Sequence, residues 1–279
     1  MADLSTFPRK WGIEEAKQIA DTAAGTVFEV KRRGDRLDIV KVFRKKSLIE
    51  SQRGVDFLEW RGGVGAILVL GRTDDAVLLE HAGSQTLRNV MFASSDTDAT
   101  HIAAELVEIY HSTSDALLPF SLQPAVRYFD SLFKRAARDK TAEGYSLFVE
   151  AAELVEMLLG EQKDLKPLHG DLHHENILRG GRGWLVIDPA GLIGDPALDV
   201  ANMFSNPLDR QDLTRDETRI ASMADIFSTT LRRDPRTILR YAFAYACLSA
   251  AWHEEDGHSR EREDELAVAA AIRNVMRQS

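Results

Sequence analysis

Hydrophobic and polar positions divide the chain into an early stretch dominated by two-residue alternation and a long later stretch with helical spacing. Residues 13–19, polar and apolar in turn, predict a short helix. The runs 27–33 and 37–43 alternate around Gly34-Asp35, which predicts a β-hairpin. Residues 47–60 then read as a helix with Leu48, Val55, Leu58 and Trp60 on its apolar side. After Arg61-Gly62-Gly63, residues 65–70 and 76–80 read as strands joined by a turn at 71–75. His81-Ala82-Gly83-Ser84 breaks this pattern. Beyond it the chain is mainly helical: 99–112, 127–137, 145–159 closed by Gly160, then 219–231, 236–252 and 264–276. The pattern predicts an α+β protein, with a small β-rich part at 1–83 holding one main helix and a larger helical part at 84–279.

Composition narrows the class. An apolar fraction of 44% and a charged fraction of 28% are those of a globular domain, and 279 residues give ample core. No apolar run reaches the length of a membrane span, and the first residues lack a signal-peptide pattern. The single Cys247 excludes an intrachain disulfide framework and suits a reducing compartment, so a cytoplasmic location is expected. Net charge is 35 − 44 = −9, which disfavours a general nucleic-acid binder. The acidic excess suits a small cationic ligand, although solubility alone also accounts for it. No membrane or protein partner is expected.

Residues 168–188 carry the candidate chemistry. Leu168-His169-Gly170-Asp171-Leu172-His173-His174-Glu175-Asn176 is followed by two short apolar runs around Gly180-Gly181-Arg182-Gly183, ending at Asp188. This is a hairpin in which one strand leaves Asn176 and the other delivers Asp188, so two oxygen ligands meet at one end. Asp171 lies five residues before Asn176 on a polar loop. Phosphoryl transfer needs such groups: a carboxylate for the acceptor hydroxyl and hard oxygens for Mg²⁺. Two other readings compete. The three histidines and Asp171 could bind a transition metal such as zinc, or the segment could be an ordinary polar turn.

His-Gly-Asp, four residues, Asn, and then the Ile187-Asp188 strand end resembles the protein-kinase-like fold. The glycine after His169 and Asp188-Pro189-Ala190-Gly191 resemble the aminoglycoside phosphotransferases within it. Residues 182–189 and Ala246-Cys247-Leu248-Ser249-Ala250-Ala251-Trp252 look closest to the streptomycin 6-phosphotransferases of the aminoglycoside/hydroxyurea resistance group. The resemblance implies two lobes meeting near Gly83 and ATP-dependent, Mg²⁺-dependent phosphorylation of an alcohol. Asp171 would orient or deprotonate the hydroxyl, and His173 would stabilise charge on the transferred group. Asn176 and Asp188 would hold the metal.

The same resemblance places Lys41 on the α- and β-phosphates, with Glu50 of the following helix as its partner and Glu59 as the alternative. A solvent-facing lysine on an edge strand is the competing account of Lys41. The small-residue loop containing Thr22 and Gly25 would let backbone approach phosphate, and main-chain groups near Glu80 and Ala82 would bind adenine. Asp195, before Pro196, is expected to cap a helix, and the resemblance implies that Asp199 braces the catalytic loop. Only six residues separate Asp188 from Asp195, leaving no long activation loop and favouring a small acceptor. Trp252 with Glu254, Glu255 and Asp256 would meet a guanidinium-bearing aminoglycoside, or form a solvated helix end. A kinase for another metabolite alcohol and a nucleotide-binding regulator without turnover are the remaining alternatives.

Overall fold

The computed structural model describes residues 4–112, 117–141, 145–162 and 164–278. Strands β1 (Ile13–Asp21), β2 (Gly25–Arg32) and β3 (Arg36–Phe43) are followed by helix α1 (Leu48–Arg61), β4 (Val69–Arg72) and β5 (Ala76–Glu80). They build an antiparallel sheet in the order β1-β2-β3-β5-β4. Alternation in β2 and β3 supplies two different faces. Val30, Val40 and Leu78 pack with Phe7, Trp11, Ala16 and Ala76 on one. Phe43, Val77 and Leu79 join the main core with α1 on the other.

Two predicted elements are corrected. Residues 13–19 lie in β1, not in a helix. Only Ala16 of β1 is buried, so the strand lacks a clean apolar alternation; its nine residues are held by pairing to β2, interrupted by two register shifts. Tertiary pairing overrides the local preference there. Residues 65–68 are also outside the named strands, and Ala66 instead bridges to Val186 in the hairpin at residues 177–186.

The rest is mostly helical. β6 (Gln85–Thr86) leads into α2 (Leu87–Ala93) and α3 (Asp96–Tyr110), then β7 (Gln123–Pro124), α4 (Ala125–Tyr128), α5 (Asp130–Thr141) and α6 (Leu147–Gly160). Next come β8 (Lys166–Leu168), β9 (Ile177–Gly180), β10 (Gly183–Val186), β11 (Leu192–Gly194) and the short α7 (Pro196–Asp199). α8 (Gln211–Thr214), α9 (Glu217–Leu231), α10 (Pro235–Glu255) and α11 (Ser259–Gln278) complete the order. α10 is buried along most of its length and packs against α5, α6, α9 and α11. This explains its predominance of small and apolar side chains. Asp195 accepts from the Ala197 amide at 2.9 Å with Pro196 at the first helical position, the cap expected of that dipeptide. No helix among the described residues is long and apolar enough to cross a membrane.

Candidate active site

The candidate catalytic loop, residues 169–176, hangs from one buried carboxylate. Asp199, at the end of α7, accepts from the backbone amides of His169 (3.1 Å) and Gly170 (2.8 Å) and from the Tyr110 hydroxyl (2.9 Å). His111 Nε2 lies 2.7 Å from the same carboxylate. Burial pushes the Asp199 pKa up, but the His111 contact and the loop amides outweigh it and hold the carboxyl below its usual range. Gly170 sits at φ 77°, and a Cβ there would lie 2.6 Å from Leu192 Cγ. The His-Gly-Asp sequence therefore needs its glycine for both conformation and space.

His169 joins the loop to the hairpin. Its Nε2 is 2.8 Å from the Ile187 carbonyl, which can only accept, so Nε2 carries the hydrogen. Its Nδ1 accepts from the Asp171 amide at 3.2 Å. Burial lowers its pKa, which fits this neutral, fully bonded ring. His174 is buried as well, its pKa pushed down to about 3 by burial and by Arg219. No three Cys, His, Asp or Glu side chains gather as a metal-binding group among the described residues.

β9 and β10 form the expected hairpin, with Val186 opposite Ile177. The Ile187 amide donates to the Asn176 carbonyl at 2.9 Å, which brings Asn176 and Asp188 to the same end. Asn176 Nδ2 donates to the Asp171 carbonyl (2.8 Å) and to Asp171 Oδ2 (3.2 Å), which leaves its Oδ1 without a donor among the described residues. Asp188 stands at φ 53°, an uncommon conformation for a residue with a side chain, and its carboxylate is half-exposed and bonded to the Lys41 ammonium. Two hard oxygen donors beside a lysine fit Mg²⁺ with phosphate better than a softer metal.

Lys41 lies in β3, with β2 and β5 as neighbours, and only 8% of it is exposed. An edge lysine facing solvent is thereby ruled out. The partner expected for it is corrected: Glu50 is exposed on α1, and the ammonium pairs with Asp188 instead. Glu59, the alternative, pairs with Arg72. What α1 brings to the site is Gly54, packed against the Pro189 carbonyl so closely that a Cβ would stand 2.1 Å from its oxygen. Backbone contact occupies the place where a helix side chain was expected.

A cavity of about 360 Å³ opens beside Lys41 and Asp188, walled by Val27, Ile39, Leu79, Ala82, Leu178 and Ile187. Glu80 also lines it, but its carboxylate is taken by Arg182 (2.8 and 2.5 Å) and the Leu68 amide (3.0 Å). The Arg182 bonds hold that carboxyl below its ordinary pKa. Thr22 and Gly25 close the β1–β2 turn on each other: the Thr22 hydroxyl donates to the Gly25 carbonyl at 2.9 Å. Arg44 and Ser47 tie down the same turn through the carbonyls of Thr22 and Ala23.

Asp171 faces outward from this framework, with 45% of its side chain exposed and His173 Nε2 3.9 Å from Oδ2. Enclosure of the surrounding loop raises its pKa, against the pull of His173 and His169. Tyr128 donates to the Gly170 carbonyl at 2.7 Å, and Trp252 meets Tyr128 edge-on at 5.2 Å and Tyr245 at 6.2 Å. Trp252 is therefore one ring away from the catalytic loop. The acidic residues beside it are less available than expected. Glu254 is gripped by Arg135 at 3.0 and 2.9 Å and Arg138 at 3.3 Å, and Glu255 accepts from Ser131 at 3.0 Å. Glu254 is accordingly a structural anchor rather than a free ligand carboxylate, and Asp256 is exposed at the end of α10.

One contact was missed from the sequence. Asn202 donates through Nδ2 to Asp171 Oδ1 at 2.9 Å, across 31 residues. The available signal was a lone amide in the otherwise apolar Val200-Ala201-Asn202-Met203-Phe204.

This arrangement of sheet, lysine, hairpin and helical base defines a phosphotransferase of the protein-kinase-like fold. A solved aminoglycoside phosphotransferase, a thermostable mutant in ternary complex with ADP and hygromycin B, matches with a TM-score of 0.62 at 14% identity, covering 97% of this chain and 96% of that one. The sequence model for aminoglycoside/hydroxyurea antibiotic resistance kinases matches residues 10–257, and the chain belongs to that family. A streptomycin 3''-kinase of Klebsiella pneumoniae is 32% identical over 96% of this chain and 99% of its own length. A streptomycin 6-kinase of Streptomyces griseus is 30% identical over 76% of this chain and 69% of its own.

Proposed function

We propose that this protein transfers the γ-phosphoryl group of ATP to streptomycin, at the 6-hydroxyl, with Mg²⁺ as the metal. The observation that carries the reading is Asp171, held outward on a braced loop beside Asn176, Asp188 and Lys41. Asp171 receives the hydroxyl proton, and His173 stands beside it where charge on the transferred group is met. Asn176 Oδ1 and Asp188 would hold the metal, which would supply charge neutralisation. Lys41 grips the α- and β-phosphates, and the apolar cavity next to Ala82 takes the base, with main-chain groups of Glu80 and Ala82 reading its edge. The turn at Thr22 and Gly25 covers the phosphates from the sheet side. Catalysis rests on placement and electrostatics, without a covalent enzyme intermediate.

Trp252, set edge-on against the tyrosine that holds the catalytic loop, forms the acceptor wall, and exposed Glu255 and Asp256 add negative charge for a guanidinium. The relatives are named for two different hydroxyls, so the position phosphorylated is the deciding measurement. Incubation with ATP, Mg²⁺ and streptomycin should yield a monophosphate whose ³¹P–¹H correlation falls on the 6-position; a 3''-phosphate would sink that assignment. Asp171→Asn should keep nucleotide binding and lose turnover by about 10³-fold or more, since shape survives and proton acceptance does not. Near-normal turnover would remove Asp171 from the reaction.

A further inference from the structure

The carboxylate of Asp171 is held from a side that its own loop does not contain. Asn202 and Asn206 lie on and just after the 3₁₀ turn Ala201–Ser205, and both are nearly buried. Asn206 Nδ2 lies 3.0 Å from the Asn202 carbonyl and 2.7 Å from Asn202 Oδ1. A backbone carbonyl only accepts, so the Asn206 group facing it is the NH₂. That NH₂ then fixes the neighbouring atom of Asn202 as its oxygen. The amide of Asn202 has one remaining end, its NH₂, and that end meets Asp171 Oδ1 at 2.9 Å. The polarity of the whole chain is thus set by one main-chain oxygen. Behind it, the Asn206 carbonyl accepts from Arg219 at 2.9 Å, and Arg219 is paired with Asp96 at 2.8 Å.

We propose that Asn202 is a positioning residue for the base, oriented by Asn206, and that it selects Asp171 Oδ2 as the oxygen that receives the acceptor proton. Oδ1 is engaged by the Asn202 amide. Oδ2 faces His173 and, among the described residues, accepts just the longer 3.2 Å contact from Asn176. The two oxygens of one carboxylate are therefore inequivalent before any substrate arrives. A carboxylate free to rotate about its terminal torsion would present both oxygens in turn and spend part of its time misaligned. The inference rests on the phosphotransfer reading of Asp171.

The test separates this role from a structural one by splitting kcat from KM. In Asn202→Ala, kcat should fall about 10- to 100-fold, while KM for MgATP and for streptomycin stays within about threefold. Asn206→Ala leaves Asn202 in place but removes what orients it, so a smaller fall, about three- to tenfold, is expected with the same unchanged KM values. Asn206→Ala also serves should Asn202→Ala fail to fold. Unchanged kcat in either folded variant overturns the proposal, as does a fall matched by equal losses in both KM values. A wild-type protein that phosphorylates no alcohol would instead sink the phosphotransfer reading. Crystal structures of wild type and Asn202→Ala then decide the remaining point: an Asp171 carboxylate unmoved by the substitution refutes the hold.

Discussion

The close approach of α1 to the Asp188 loop provides a perturbation whose sign is not obvious from sequence. Gly54 is interior to α1, where replacing glycine by alanine ordinarily gains about 1 kcal/mol of helix propensity. At this position a Cβ would stand 2.1 Å from the Pro189 oxygen. Carbon-to-oxygen contacts settle near 3.3–3.6 Å, so the helix and loop must separate by roughly 1.2 Å. Overpacking of this kind costs about 1–3 kcal/mol, which meets or exceeds the propensity gain. The neighbouring contact cannot simply slide, because Gly191, at φ 75°, also packs on the Arg53 carbonyl, where a Cβ would stand 2.6 Å from the oxygen. Gly54→Ala should therefore leave stability unchanged or lower it by up to about 2 kcal/mol, a melting shift of at most about 6 °C.

The larger effect falls on function. Pro189 follows Asp188 directly, and a shift of about 1 Å in a residue proposed to hold the metal is worth on the order of 10²-fold in rate. We expect Gly54→Ala to reduce kcat/KM for MgATP by about that factor. Gly160→Ala, at the last residue of α6, is the matched control: a Cβ there would meet no atom within 4 Å, so the rate should stay unchanged and the melting temperature stay level or rise slightly. Differential scanning fluorimetry and initial rates at varied MgATP measure the two effects. A Gly54→Ala protein with raised melting temperature and wild-type KM would refute the claim that backbone contact positions Asp188.

Two further predictions concern buried charge. Glu265 lies between the hydroxyls of Ser205 (2.7 Å) and Ser249 (3.0 Å), and burial pushes its pKa up to about 7. Its stabilising contribution is present below the unfolded value near 4.5 and is lost as pH rises through about 7, a difference of up to about 3 kcal/mol. Urea unfolding at pH 5 and pH 8 should show that loss in wild type and not in Glu265→Gln; equal pH dependence in both would refute the assignment. Glu254→Gln should cost about 1 kcal/mol in stability through its arginines and leave KM for streptomycin unchanged. A raised KM with no loss of stability would return Glu254 to the acceptor site.

Local signals account for what was legible. The hairpin at residues 177–186 is announced by a glycine-rich turn between two apolar runs, and its ends carry Asn176 and Asp188 to one place by pairing alone. Asp195 and Pro196 announce their helix by cap chemistry. The misses share a different cause. β1 is a strand because β2 pairs with it, and its own residues hold little apolar alternation. Helix position points to Glu50, yet the facing surface is occupied by main chain at Gly54. Glu254 reads as free in sequence because Arg135 and Arg138 lie more than a hundred residues away. Asn202 reaches Asp171 only once α7 has folded back beneath the catalytic loop.

The stretch after Asp188 decides how an acceptor can be recognised. The amides of Ala190 and Gly191 both donate to the His169 carbonyl, at 2.8 and 3.2 Å, and the Gly191 carbonyl accepts from Gln123. Leu192–Gly194 then pairs with β7 on one side and β8 on the other, and Asp195 caps the next helix. Every residue from Ala190 to Asp195 is thereby committed to backbone pairing or a cap. A segment so occupied has no spare edge on which an extended peptide could lie, and no slack with which to fold over a substrate. For the proposed alcohol acceptor, discrimination therefore falls to surfaces outside this segment. The nearest are the rings of Tyr128 and Trp252, tied to the catalytic loop through the bond from Tyr128 to the Gly170 carbonyl. Because that bond couples ring position to loop position, a change in the aromatic wall acts on Asp171, the proposed base, as well as on binding. Selectivity and rate should accordingly move together when these rings are altered, and separately when Asp256 is.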